Sequence, residues 1–369
     1  MDCNRLTYLR YFFGTVILIL TIAGGVNFIA DPANIFRQGR ITPESYAQAL
    51  LHSDYGLYNP DGMIDERLLA KVVASKSFNA DCVVIGSSHV MQISSERKSK
   101  ALQNLCGSIL NIAVSGGGLE DHITLTYLAL EKYRNGRPNK IILGVDPWIF
   151  AFEKNQAFTI YLDDYNLAKA NIKNLSIEID KQLIPFDKKI MLKLKNLINL
   201  EYTILSIKNI IKYCLHGDLE ITHAPKLDYG IGGYDPIRLP DNSYVYSSSY
   251  ISSRVGVPVL FGGNTYQTNG VLNQSDAISA YRDLLIWIKS KGVEPIFLMT
   301  PYHENVLKAP KSPNANALKT TEPIILNLAH ELRIKVIGSY DPHVFGCLSN
   351  EFYDFMHPNV KCLDKLQQR

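Results

Sequence analysis

The sequence predicts a doubly wound α/β fold, a parallel sheet covered by helices on both faces, preceded by one N-terminal transmembrane helix. Three observations lead there. Short apolar runs alternate with helix-length segments from residue 82 onward, and the stretch Tyr11–Ala30 contains no charged residue. At 46% hydrophobic, the 369 residues are also enough to bury a substantial core.

In chain order, residues 1–10 form a short N-terminal tail and residues 11–30 the anchor. Twenty residues at 1.5 Å each span about 30 Å, the thickness of a bilayer's hydrocarbon core. A buried core helix rarely lacks a polar face over that length, and the apolar part of a cleaved signal peptide is shorter. Arg5 and Arg10 precede the run and Arg37 and Arg40 follow it, so charge leans only slightly towards a cytoplasmic N-terminus. Asp31-Pro32 breaks the helix, and residues 31–79 read as a connecting segment.

The main domain is expected over residues 80–369. Its predicted strands are Cys82–Ile85, Ile109–Val114, Lys140–Val145, Glu294–Met299 and Ile334–Ile337. Helices are expected from Ser88 onward, over Glu120–Tyr133 as an amphipathic element, and over Ala277–Lys291 and Leu318–Leu332. Apolar strands separated by such helices are the pattern of a parallel sheet. An insertion at about 152–270 interrupts the rhythm, first Lys/Leu/Ile-rich and helical, then Gly/Ser/Tyr/Pro-rich with hairpins or long loops.

Composition narrows the function. With 38 Lys+Arg against 35 Asp+Glu, the net charge is only +3, and no concentrated basic stripe exists for phosphate backbones; no nucleic acid is expected as a partner. Six cysteines are too few for a disulfide scaffold. Around Ser88 the Gly-x-Ser-x-Gly elbow fails at Val90, and His-Glu-x-x-His fails at both His303-Glu304 and His330-Glu331. No metal site and no cofactor is implied.

Three segments carry candidate chemistry. Gly86-Ser87-Ser88-His89 follows the first strand, where a serine stands clear of the sheet beside a backbone N–H able to stabilise an oxyanion. Ser115-Gly116-Gly117-Gly118 follows the second strand, and missing side chains let backbone N–H groups approach a substrate. Tyr353-Asp354-Phe355-Met356-His357 places an Asp three positions before a His, close enough to share one face of a turn. Singly, such pieces also serve as tight turns, phosphate nests and surface hydrogen bonds. His89 is expected to point away from the nucleophile, while Trp148 and His303 are candidates to line a cleft.

The order of these segments resembles the SGNH (GDSL-like) hydrolase superfamily over most of residues 80–360. Within it the chain is most similar to membrane-bound envelope proteins related to the D-alanyl transfer protein and the alginate acetylation proteins. Asn27-Phe-Ile-Ala-Asp31-Pro32, Asp146-Pro147-Trp148, Pro301-Tyr302-His303 and Gly338-Ser-Tyr-Asp341-Pro342 add to the likeness. The resemblance implies a flavodoxin-like three-layer sandwich, with Ser88 as nucleophile, Gly116 in the oxyanion hole, and Asp354 and His357 completing a triad. Asp146 and His303 fall in its substrate-binding or oxyanion region. One departure stands out: Asp146 occupies the position of the family's Asn, and an ionised Asp cannot donate to an oxyanion.

The expectation is therefore a single-pass membrane protein, its globular part periplasmic or extracellular. It would be a serine acyltransferase or esterase acting on acyl groups of cell-envelope glycans. The alternative is a catalytically weak or inactive module that binds polysaccharide or assists a membrane-bound acyltransferase. Implied partners are a cell-surface glycan or other acylated substrate, the lipid bilayer, and that acyltransferase. Cys347 and Cys362 flank the last block and are candidates for a disulfide in an exported protein.

Overall fold

Runs of Val, Ile and Leu bounded by Gly and Asn build the central sheet. The computed structural model describes residues 3–31, 41–59, 64–75, 80–97, 100–131, 136–150, 160–173, 175, 197–216, 221–226, 233, 235–254, 274–308 and 313–369. Eight strands lie among them: β1 (Leu57–Tyr58), β2 (Cys82–Ile85), β3 (Ile109–Asn111), β4 (Lys140–Gly144), β5 (Ile237–Arg238), β6 (Tyr244–Val245), β7 (Glu294–Met299) and β8 (Lys335–Gly338). Five form one sheet in the order β3-β2-β4-β7-β8, every pairing parallel. Counted along the chain, these strands run 2-1-3-4-5 across the sheet. The winding direction therefore reverses between β2 and β4, the place where open α/β sheets bind ligands.

All of β2 and β3, and all but the first residue of β4, β7 and β8, is buried. Successive strand residues point to opposite faces, so both faces of the sheet are covered. Two glycines end the adjacent strands: Gly86 follows Ile85, which pairs with Leu143 next to Gly144. A Cβ on Gly86 would lie 2.7 Å from Val90 Cγ2 and one on Gly144 2.6 Å from Val90 Cγ1. Both glycines are required for Val90 to seat over the strand ends, which fixes the turn that follows β2.

That turn differs from expectation. Ser88 opens a single 3₁₀ turn, Ser88–Val90, and the next α-helix is the short Lys100–Gln103. The carbonyls of Val90 and Ile93, which a longer helix would use, instead accept from the buried Asn111 Nδ2 at 2.8 and 2.9 Å. The helix Leu119–Glu131 is not amphipathic in its setting. Every residue from Leu119 to Leu130 is buried, including Glu120, Asp121 and His122. The insertion contributes β5 and β6, which join β1 of the connecting segment in a small antiparallel sheet of order β1-β5-β6, and the helices Leu162–Asn171, Leu200–His216 and Ser248–Arg254. Pro32, Arg37, Arg40 and much of the insertion (residues 151–159, 176–196 and 255–273) lie outside the described residues.

Among the described residues, two disulfides close local loops. Cys347 bonds Cys362, and Cys82 at the start of β2 bonds Cys106 just before β3. Sequence separations of 24 and 15 residues correspond to about 3 kcal/mol of loop-closure stabilisation each in the chain-entropy model.

The chain divides into two units. The larger comprises Ala47–Asn59, Glu66–Ile177 and Thr222–Arg369 and holds both sheets. The smaller comprises Met1–Tyr46, Pro60–Asp65 and Glu178–Ile221. It contains the helix Cys3–Ala30, whose Thr7–Ala30 portion is long and apolar enough to cross a membrane and is only 6% buried over its most apolar window. Inside this unit, Asn27 Nδ2 donates to the Leu197 carbonyl and to Thr203 Oγ1, both at 2.9 Å.

Candidate active site at the carboxyl ends of the strands

The turn after β2 separates its two serines by direction. Ser87 is fully buried, and its Oγ donates to Asp146 Oδ2 at 2.5 Å while accepting the His89 N–H. Ser88 stays partly exposed, and its Oγ lies 2.8 Å from His357 Nε2. His357 Nδ1 in turn lies 2.9 and 3.0 Å from the two oxygens of Asp354. Segments 269 residues apart thus form one continuous serine–imidazole–carboxylate relay, with His357 and Asp354 side chains only 14% and 13% exposed.

The Asp354 carboxylate is held from several sides. Its Oδ1 accepts the N–H groups of Met356 and His357, each at 2.8 Å, and its Oδ2 accepts the Tyr250 hydroxyl at 2.8 Å. Burial works against its ionisation, but the bonds from His357 and the two backbone N–H groups outweigh it and hold the carboxyl well below the usual range. For His357, burial is the largest influence and lowers the imidazole pKa; Asp354 offsets this only in part. The outcome is a neutral imidazole facing a hydroxyl, with its other nitrogen fixed by a carboxylate, the state a general base requires.

Longer-range bonds hold the two ends in register. Gln92, four residues after Ser88, donates Nε2 to the Pro358 carbonyl at 2.9 Å and accepts the Tyr353 hydroxyl at 3.2 Å. The His303 N–H donates to the Phe355 carbonyl at 3.0 Å, bracing the same block from the loop after β7. Tyr246 lies 5.9 Å from the His357 ring and 4.9 Å from Tyr250 between ring centroids, forming an aromatic wall with Tyr353.

The glycine loop sits against this turn. Gly117 is so close to it that a Cβ there would lie 2.5 Å from the Gly86 carbonyl oxygen, and the Val114 N–H donates to that oxygen at 3.0 Å. Gly116 has φ +60°, with open space where a side chain would be, a left-handed conformation suited to glycine. Beneath the loop, Arg67 forms two bonds to Asp121 at 2.8 and 3.0 Å, and Asp121 Oδ2 accepts the Gly118 N–H at 2.9 Å. Glu66 accepts the Ser115 N–H at 2.8 Å and the Arg238 guanidinium at 3.0 Å.

Asp146 does not face the serine hydroxyl of the relay. It is 1% exposed and turned inward, where it accepts from Ser87 and from Tyr302 (3.1 Å) and pairs with His89 Nδ1 at 2.5 Å. His89 likewise does not point away. Its fully buried ring stands edge-on between Trp148, Tyr302 and His357, with ring centroids 5.4, 5.0 and 4.9 Å away. Trp148 donates Nε1 to the Gly117 carbonyl at 2.8 Å and so ties β4 to the glycine loop. At His303, Nδ1 accepts the Asn305 N–H and the ring packs on Phe352, 5.5 Å between centroids. Its neighbour Tyr302 is the residue that reaches the site.

Ser87, His89, Tyr302, Tyr250 and Gln92 are therefore additions to the sequence reading. Ser87, His89 and Tyr302 lie within motifs already singled out, and the available signal was adjacency to the chosen residue. For Tyr250 and Gln92 nothing in the local sequence marks the role.

Compared with known proteins, the chain matches no family model and matches no curated protein sequence.

Proposed function

We propose that the larger unit is a serine acyltransferase or esterase of SGNH type, acting on acyl groups of cell-envelope glycans. The observation that carries this reading is the relay from Ser88 Oγ through His357 to Asp354. The 2-1-3-4-5 strand order, with the relay at the sheet's switch region, supports the flavodoxin-like sandwich of that superfamily. Two disulfides and an N-terminal helix apolar enough to span a membrane support an anchored body on the oxidising side of the envelope.

In the mechanism, His357 Nε2 accepts the Ser88 proton as Oγ attacks the acyl carbonyl carbon. The N–H groups of Ser88 and Gly116 stabilise the resulting oxyanion, and loss of one such donor costs about 10²–10³ in rate. His357 then passes its proton to the leaving alcohol as the ester C–O bond breaks, giving an acyl-Ser88 ester. A glycan hydroxyl or water is deprotonated by His357, attacks the acyl carbon, and releases Ser88 with its proton restored. Asp354 fixes the imidazole tautomer throughout and is itself never protonated.

The Asp146 arrangement favours a second reading. Its oxygens are committed to Ser87, His89 and Tyr302, so the side-chain amide that SGNH enzymes offer the oxyanion is replaced by a carboxylate. A module that positions polysaccharide for a membrane acyltransferase fits that loss. A fluorophosphonate probe separates the two. Covalent labelling of the full chain that disappears in Ser88→Ala and in His357→Ala supports the enzyme. Absent labelling, with glycan binding that survives both substitutions, supports the module.

A further inference from the structure

We infer that the helix Leu200–His216 lies in the headgroup boundary of a bilayer, with Leu200, Ile204, Ile207 and Ile211 inserted among lipid acyl chains beside the N-terminal anchor. The inference rests on the helix Cys3–Ala30 crossing that bilayer. It is independent of any catalytic role for Ser88.

The first support is an inverted pattern of burial. Leu200, Ile204, Ile207 and Ile211 are 73%, 47%, 45% and 52% exposed, and their 4-3-4 spacing places them within about 60° of arc on one helix face. The face turned inward is the polar one. Tyr202 and Ser206 are buried, the Tyr202 hydroxyl donates to Asp31 Oδ1 at 2.9 Å, and Thr203 Oγ1 accepts from Asn27. Hydrogen-bonded Tyr202 and Thr203 inside and aliphatic groups outside is the arrangement of helices that pack in lipid, where hydrogen bonds and small residues join helices.

The second support is depth. Tyr8, Tyr11, Phe12 and Phe13 are exposed at the start of the anchor, where aromatic belts mark a membrane–water interface. Asn27 lies about 16 residues beyond their centre, about 24 Å along a helix, which brings it close to the opposite interface of a core about 30 Å thick. The contacts to Leu197, Tyr202 and Thr203 are all made from Asn27 and Asp31, so the second helix is joined to the anchor at that level. A charged residue agrees with this depth. Lys208 is exposed and, by helical rotation, borders the aliphatic face, within reach of lipid phosphates as in other interfacial helices. Lipid is therefore the occupant this face fits, continuous with the surface the anchor presents.

The test uses the full chain in phosphatidylcholine/phosphatidylglycerol vesicles, with Cys3→Ser and Cys214→Ser removing the cysteines outside the two disulfides. An environment-sensitive fluorophore is attached to Ile207→Cys and, separately, to Ile17→Cys in the anchor. The expected result is a blue-shifted emission at both positions. Lipids carrying a shallow nitroxide should quench the probe on Ile207→Cys, and a deep nitroxide the probe on Ile17→Cys. A lipid-quenched Ile17→Cys with an iodide-quenched Ile207→Cys overturns the inference and leaves the anchor standing. Iodide quenching of both overturns the anchor and the inference together. An Ile207→Cys probe shielded from lipid and iodide alike assigns the face to a protein, a second copy or another membrane helix, and overturns the lipid occupant.

Discussion

Replacing Asp146 with asparagine tests whether this residue organises the floor of the site. Asp146 accepts from Ser87 Oγ at 2.5 Å and Tyr302 OH at 3.1 Å, and pairs with His89 Nδ1 at 2.5 Å. A hydrogen bond to a carboxylate contributes about 1.5–3 kcal/mol and a neutral one about 0.5–1.5. The loss is therefore about 1 kcal/mol per bond, or about 3 kcal/mol for three. Asparagine keeps a partner at each heavy atom: its oxygen serves His89 and Tyr302, and its NH₂ donates to Ser87 Oγ, whose own proton loses its acceptor. For a domain of this size the expected fall in Tm is about 5 °C, read by circular dichroism on the full chain in detergent. Asp146→Ala should cost more, because three buried polar groups then lose their partner. Labelling of Ser88 should also slow in Asp146→Asn, since His89 packs edge-on against His357. An unchanged Tm in Asp146→Asn, or an alanine variant at least as stable as the asparagine one, refutes the reasoning.

Three further outcomes are expected. The burial-lowered pKa of His357 places the acid limb of the fluorophosphonate labelling rate below pH 6.5, because the base stays neutral until the pH falls past its folded value; a limb above 6.5 contradicts this. Glu120, whose carboxyl is pushed up to about 8 by burial with a smaller contribution from Asp121, destabilises the fold as pH rises. Its folded value lies above the unfolded one, so stability is fully present below pH 4.5 and is lost as pH climbs through 8. Glu120→Gln should raise stability at pH 8 by at most about 5 kcal/mol, seen as a higher Tm, and raise it little at pH 5; an equal gain at both pH values rules the burial argument out. Gly117→Ala forces a Cβ to within 2.5 Å of the Gly86 carbonyl, which costs about 1–3 kcal/mol and displaces the Ser88 turn. Its labelling rate should fall below that of Gly107→Ala, where a Cβ would meet nothing nearer than 3.9 Å; the reverse order would contradict the assigned contact.

Much of the fold was readable from the chain because its signals are local. Cys82–Ile85 and Glu294–Met299 coincide with observed strands, since a run of consecutive apolar residues between turn residues is the direct imprint of burial on both faces. The length of the second strand and the supposed helix after Ser88 were not readable. After Ser88 the Asn111 side chain bonds the Val90 and Ile93 carbonyls, and Val90 also accepts a 3₁₀-type bond from the Ile93 N–H. The Cys82–Cys106 disulfide was hidden for a related reason. Only the pairing of β2 with β3 reveals that a strand start and a strand approach are adjacent.

By itself the sequence determined where the first strand ends, which turn offers serines, and that an Asp and a His share one turn near the C-terminus, because backbone turns and i,i+3 spacing are short-range geometry. Tertiary structure alone decided which serine does what. Ser87 and Ser88 are chemically identical neighbours, and only packing sends one to Asp146 and the other to His357. The same holds for Asp146, which the resemblance alone put in an oxyanion region and which folding turns towards His89 and Tyr302. A buried hydrogen-bond network is set by where distant side chains meet, and no local pattern encodes that meeting.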